Sequence, residues 1–265
     1  MKIGVGYAAW VTSPKLMEYA VDTLNSITSE KHELVFCGWR NSPMPSDVFA
    51  KLGSYGHIHD NDENNVSRAW NRAINHLIGQ GCRYVFVPNL DIYLKPGALD
   101  ALVDAAQRYP NPVLWTMANW HYFQDDGEAP GIHRAPTPDH VVPHPHFSAF
   151  MVDNRLFDKV GPFDENFRPA YNEDLDMHWR IRLAGEEAVQ FEGARFYHYG
   201  SRAIGEDKAL EATNRITHAN LDRYFARKWG YKPPTADDPF TTGMYRHPWN
   251  DPSLVGYERK FMATW

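Results

Sequence analysis

Four consecutive apolar residues, Tyr84-Val85-Phe86-Val87, constrain this chain more than any other stretch. An unbroken apolar run of that length, closed by turn residues, marks a strand covered on both faces, as in sheets with helices on either side. The flanks agree. Before it, Val66, Trp70, Ala73, Ile74, Leu77 and Ile78 recur at helical spacing and are stopped by Gly79 and Gly81. After it, behind Pro96, Leu99, Leu102, Val103 and Ala106 do the same. Upstream, Ile3 to Tyr7 reads as a first strand, Pro14 to Ile27 as a helix N-capped by Ser13, and Glu33 to Cys37 as a second strand. Strand, helix, strand at this spacing is a parallel βαβ start, so the fold class is α/β.

At 265 residues, 43% hydrophobic and 14% aromatic, the chain can bury one large core or two small ones. A formal net charge of −6 argues against a general nucleic-acid binder. No apolar run approaches the roughly 18–20 residues that span a bilayer. The first residues read as a strand rather than a secretory leader. Cys37 and Cys82 lack metal-type spacing, so a reduced, cytoplasmic setting is expected. Gly4-Val5-Gly6-Tyr7-Ala8-Ala9 has the loose form of a dinucleotide fingerprint. Its glycines fall inside the strand, however, and no acidic residue closes the second strand, so that reading is set aside.

Two acidic stretches carry the chemistry. Asn89 and Asp91 follow the apolar strand, at the carboxyl end where open α/β sheets bind ligands. In extended backbone both side chains point the same way, which suits one divalent cation, or a ribose and a metal; an Asp there is also ordinary turn chemistry. The second stretch is Tyr171-Asn172-Glu173-Asp174-Leu175-Asp176, at the start of a helix with Leu175, Trp179 and Leu183 on one face. Helix N-termini favour carboxylates, which would stay ionised there as a base or a metal ligand, while Asp176 and Arg180 at i,i+4 can pair on the surface.

Between these stretches lies a proline- and histidine-rich loop with His133, His140, His144 and His146. Pro143 and Pro145 break any helical register for a zinc set, so solvated or substrate-facing histidines are expected. Phe147 to Val152 reads as a strand and Arg155 to Val160 as a short helix. Ala188 to Phe191 and Arg195 to Tyr197 read as two short strands, and Glu206 to Trp229 as a helix.

The order of motifs is specific where each alone is weak. Asn65-Val66-Ser67-Arg68-Ala69-Trp70-Asn71 precedes the strand that ends Asn89-Leu90-Asp91. Phe150-Met151-Val152, Val160-Gly161-Pro162-Phe163-Asp164-Glu165, Glu173-Asp174 with Arg180, and His198 then follow. Over roughly residues 1–205 this resembles the inverting family 2 glycosyltransferases of GT-A fold, particularly the rhamnosyltransferase-like branch. The resemblance implies a Rossmann-like, mostly parallel central sheet with a nucleotide-binding half (1–110) and an acceptor-binding half (111–205). A helical extension, 206–265, would pack on the same domain.

It implies Asp91 and His198 as ligands of Mn²⁺ or Mg²⁺, with Asn89 replacing the first acid of the DxD-type motif. Asp174 is implied as general base, with Glu173 as its acceptor-binding neighbour. Tyr7, Ala8, Trp10, Asn65, Arg68, Asn71, Asn89 and Leu90 would cradle a nucleotide-diphospho-sugar, UDP- or dTDP-linked. Trp120, His146 and Tyr171 would meet a saccharide or other hydroxyl-bearing acceptor. The sequence departs from the family at Cys37-Gly38-Trp39-Arg40, in place of Asp-Gly-Ser, and at Asn65, in place of a glycine whose left-handed backbone Asn tolerates. Two other readings stand beside this one. They are a non-catalytic nucleotide-sugar or carbohydrate-binding protein on the same scaffold, and a sugar nucleotidyltransferase, which lacks its glycine-rich Arg/Lys loop here.

Overall fold

The computed structural model describes residues 1–40, 44–60, 64–119, 141–142, 147–199 and 221–229. The strands are β1 (Lys2–Ala9), β2 (Glu33–Arg40), β3 (His57–Asp60), β4 (Tyr84–Pro88), β5 (Ile92–Leu94), β6 (Leu114–Asn119), β7 (Val141–Val142), β8 (Ala149–Asp153) and β9 (Ala188–His198). The helices are α1 (Pro14–Ser26), α2 (Ser46–Gly53), α3 (Val66–Gly79), α4 (Ala98–Arg108), α5 (Leu156–Lys159) and α6 (Glu173–Leu183). Residues 221–229, labelled α7, are also helical.

One sheet runs β3-β2-β1-β4-β8-β6-β9-β5, with β7 on β9. Its first four strands are parallel, as the βαβ pattern requires. Beyond β4 it is mixed: β8 is antiparallel to both β4 and β6, β5 is antiparallel to β9, and β6 runs parallel to β9. The expected mostly parallel sheet therefore holds only for the N-terminal half. β4 is parallel to one neighbour and antiparallel to the other. The two short strands expected at 188–191 and 195–197 are one strand, with a register shift opposite Met117/Ala118. α2, β3 and β5 had no hydrophobic period long enough to read.

Helices α1, α2 and α4 cover one face through Leu16, Leu24, Val48, Leu52, Leu99 and Leu102. α3, α5 and α6 cover the other through Trp70, Ile74, Leu77, Leu156, Met177 and Ile181. The β1 glycines explain how closely α3 lies. A Cβ on Gly4 would stand 2.9 Å from Leu77 Cβ, and one on Gly6 would stand 3.0 Å from Ala73 Cβ. These glycines serve helix–sheet contact, which is why they fall inside the strand. Gly4→Ala is expected to lose about 1–3 kcal/mol by overpacking, read from urea denaturation midpoints; an unchanged midpoint would show that α3 has slack.

Candidate active site

The site is assembled from strand and helix ends. Asp91 immediately precedes β5, an edge strand tethered on both sides. On one side Ile92 registers with His198 of β9, and Tyr199 N donates to Asp91 O at 2.9 Å. On the other, α1 covers the open edge with hydroxyls. Thr23 Oγ1 donates to Ile92 O at 2.6 Å and accepts from Ile92 N at 3.1 Å, and Ser26 Oγ accepts from Leu94 N at 3.0 Å. This double clamp brings the Asp91 carboxylate to 3.1 Å from His198 Nε2 across 107 positions of sequence. A carboxylate oxygen and an imidazole nitrogen that close fit two neighbouring positions around a hard-to-borderline divalent ion. Among the described residues no third His, Cys, Asp or Glu joins them. Asn89 and Leu90 are partly buried in the same turn, where Asn89 N donates to Ser148 O at 2.8 Å.

The acidic stretch opens α6, and burial separates its three carboxylates. Asp176 is fully buried. Its Oδ2 accepts from Arg180 Nε at 2.9 Å; its Oδ1 accepts from Trp229 Nε1 at 2.9 Å and lies 2.7 Å from Lys228 Nζ. The expected surface pair is thus an interior one. Burial would raise this carboxyl, but Lys228 and Arg180 outweigh it and hold Asp176 below the usual carboxylate range. Arg180 also donates to the carbonyls of Val160 and Pro162, and Lys228 Nζ reaches Asp164 Oδ2 at 2.7 Å, where Tyr224 OH also donates. Two buried acids and two buried bases lock α6, the 160–167 segment and α7 together. Phe167, Trp179, Leu221, Phe225 and Trp229 pack around them. α6 is therefore covered on both sides, with Met177 and Ile181 toward the sheet.

Burial shifts Glu173 and Asp174 upward, opposite to the effect of a helix N-terminus alone. Glu173 is 7% exposed, and its Oε2 has no hydrogen-bond partner. Burial, followed by the charge of Asp174, pushes its carboxyl well up, against the pull of the Glu173 and Tyr171 N–H groups. Burial also raises Asp174, whose Oδ1 accepts from Leu175 N at 2.8 Å. Asp174 is the one carboxylate of the three that is only partly buried. The chain enters α6 through two left-handed non-glycine residues, Tyr171 (φ 89) and Asn172 (φ 69). Such backbone is strained, and a bond from Asn172 Nδ2 to Asp222 Oδ1 at 3.0 Å helps to hold it.

Because the Glu173 pKa rises on folding, its contribution to stability is intact below pH ~4.5 and is lost as pH rises toward the folded value. Glu173→Gln is therefore expected to match the parent in acid and to melt at higher temperature above pH ~4.5. The gain grows by about 1.4 kcal/mol per pH unit until the folded carboxyl ionises. Melting curves across pH check this, and a pH-independent difference would contradict it.

Several of the residues expected at the nucleotide also make contacts within the fold. Asn65 is extended (φ −155), not left-handed; its side chain caps α3 by accepting from Arg68 N at 3.0 Å and donates to Glu165 O at 2.8 Å. Asn71 holds the Phe163 backbone with both ends of its amide. Arg68 Nε is 2.7 Å from Glu165 Oε2. Tyr7 is fully buried, with its ring filling the space left open at Gly38. Its hydroxyl and Trp10 Nε1 lie among the buried polar atoms without a partner. Ala8 is partly buried against the α3 side. Trp120 and His146, and the histidine-rich loop with them, lie outside the described residues. Lys228, Asp164, Trp229 and Thr23 were not legible as site-supporting residues.

This sheet, with helices on both faces, has the GT-A glycosyltransferase fold. Residues 1–349 of S. aureus TarS with UDP bound superpose with a TM-score of 0.55 at 12% identity, covering 87% of this chain and 72% of that one. GalNAc-T7 with UDP, GalNAc and Mn²⁺ gives 0.56 at 12% identity, covering 75% and 44%. In sequence, the chain is 27% identical over 174 residues to the N-acetylglucosaminyl-diphospho-decaprenol L-rhamnosyltransferase of Mycobacterium tuberculosis. That match covers 53% of this chain and 56% of the relative. It is 24% identical over 183 residues to a galactofuranosyl glycosyltransferase of Leishmania donovani, covering 54% and 42%. The chain thus spans about half the length of the curated relatives it matches. No protein-family model matches it. No helix among the described residues is long and apolar enough to cross a membrane.

Proposed function

We propose that this chain is an inverting glycosyltransferase that moves a sugar from a nucleotide-diphospho-sugar to an acceptor hydroxyl. The observation that carries this reading is the Asp91–His198 pair, 3.1 Å apart at the carboxyl end of the sheet. The sequence likeness to glycosyltransferases supports it. Asp91 and His198 would hold a divalent cation, Mn²⁺ or Mg²⁺, which when bound neutralises the charge of the departing diphosphate. The acceptor hydroxyl is too weak an acid to ionise at neutral pH, so Asp174 takes its proton as the new bond forms. Its raised pKa improves it as a base. Glu173, whose carboxyl burial pushes up, offers its unpartnered Oε2 side to the acceptor. Attack opposite the leaving group inverts the anomeric carbon and needs no covalent intermediate.

The test is a thermal-shift screen of UDP- and dTDP-sugars with and without Mn²⁺. A donor at a hundredfold its Kd adds about 2.7 kcal/mol to folding stability. Stabilisation by one donor class is expected, dependent on the metal and lost in Asp91→Asn. Sugar transfer at full rate in chelator would remove Asp91 and His198 from this role, and the absence of a shift with any nucleotide sugar would overturn the reading.

A further inference from the structure

The sheet edge opposite β5 carries a second group of ligand-type side chains. β2 and β3 pair in parallel, with Cys37 beside His57 and Trp39 beside His59. Residues two apart on a strand share a face, so these four project to one side of the sheet. It is the side covered by α3, because Cys37 and Trp39 pack in the same cluster as Ala69, Ala73 and Leu77. α3 delivers His76 from its last turn. One ligand atom from each of Cys37, His59 and His76 then lies within 4.8 Å of the other two.

The rings are held in place. His59 stacks on Trp39 with ring centroids 4.2 Å apart and planes 20° apart, and it meets His57 and His76 edge-on. Its Nε2 is buried and lacks a hydrogen-bond partner. A buried, orphaned imidazole nitrogen is unfavourable unless something takes its lone pair. A thiol and a second imidazole stand beside it.

We propose that Cys37, His59 and His76 form a binding site for a thiophilic divalent ion of the zinc type, separate from the Asp91–His198 pair. One sulfur and two imidazole nitrogens suit Zn²⁺, whereas the oxygen-bearing Asp91–His198 pair suits Mg²⁺ or Mn²⁺. Tetrahedral zinc, with Zn–S near 2.3 Å and Zn–N near 2.0–2.1 Å, sets neighbouring donors roughly 3.3–3.7 Å apart. The observed spread of up to 4.8 Å leaves about 1.5 Å at most to close, within reach of side-chain rotation.

Burial pushes the Cys37 thiol up to about 12, so without an ion it stays protonated. Binding breaks the S–H bond, releases the proton to solvent and forms the sulfur–metal bond. Burial, then the charges of His57 and His76, lowers the His59 pKa and keeps its ring in the neutral, ligating form. The Gln80 amide lies 2.8 Å from His76 Nε2 and can orient that ring by a flip of its amide. The fourth position is left to water or to His57 at the margin. The ion would tie the short edge strand β3 to β2 and α3.

Cobalt titration of the full chain tests this, because a thiolate bound to Co²⁺ gives a charge-transfer band in the near ultraviolet. One equivalent is expected to develop the band, and zinc is expected to displace it. The band should vanish in Cys37→Ser and persist in Asp91→Asn. His76→Gln, a milder change at a partly exposed position whose folding is checked by circular dichroism, should weaken cobalt binding at least ~10-fold. A folded parent without the band overturns the proposal. So does a band that survives Cys37→Ser, or one that disappears with Asp91→Asn.

Discussion

Asp174→Asn is expected to lower sugar transfer by roughly 10²–10⁴-fold, the usual contribution of a positioned general base, while donor binding in the presence of Mn²⁺ stays unchanged. Asparagine preserves the shape of Asp174 and can still accept from the Leu175 N–H, but it cannot take a proton. Of the three carboxylates at the start of α6, Asp176 is tied to Arg180, Lys228 and Trp229, and Glu173 is buried. Asp174 alone combines partial exposure with a pKa raised by burial. Transfer and donor affinity measured on the same preparation check the prediction. A variant that transfers at the parent rate would remove Asp174 from the role of base, and parallel loss of donor binding would make Asp174 a binding residue.

The second large effect is on stability. Lys228→Met is expected to destabilise the fold by about 3–5 kcal/mol, because removing one partner of a buried ion pair leaves an uncompensated charge. Lys228 is 3% exposed and stands 2.7 Å from both Asp164 and Asp176. The loss arises from the stranded carboxylates more than from missing contacts, since methionine matches the length of the stem. Adding Asp164→Asn should therefore restore part of the lost stability. Chemical denaturation of the single and double variants separates the two causes. If the double variant is no better than the single one, packing and not charge sets the effect.

Lys228 also shows where sequence reading stops. On a helix whose partner is unknown, a lysine looks like part of a solvated face. Nothing within one turn of Lys228 indicates that Asp164 and Asp176, 64 and 52 positions away, lie against it. The Asp176–Arg180 pair was visible from its i,i+4 spacing, but its burial was not, because burial depends on what covers α6. The same limit applies to Cys37, His59 and His76. Metal motifs are read from short spacings along one segment, and these three come from two strands and a helix.

By itself, the sequence determined the α/β class, the parallel start of the sheet, the two-face burial of β4 and the position of α6. Those follow from local hydrophobic period and capping, which act over a few residues. It also carried Asp91, His198 and Asp174 as a motif order. Tertiary structure alone decided that the sheet turns mixed after β4 and that Asp91 meets His198 through the register of two strands. It also decided that Glu173, Asp174 and Asp176 sit in three different electrostatic settings. Register, burial and pKa are set by groups distant along the chain, and no local pattern carries that information.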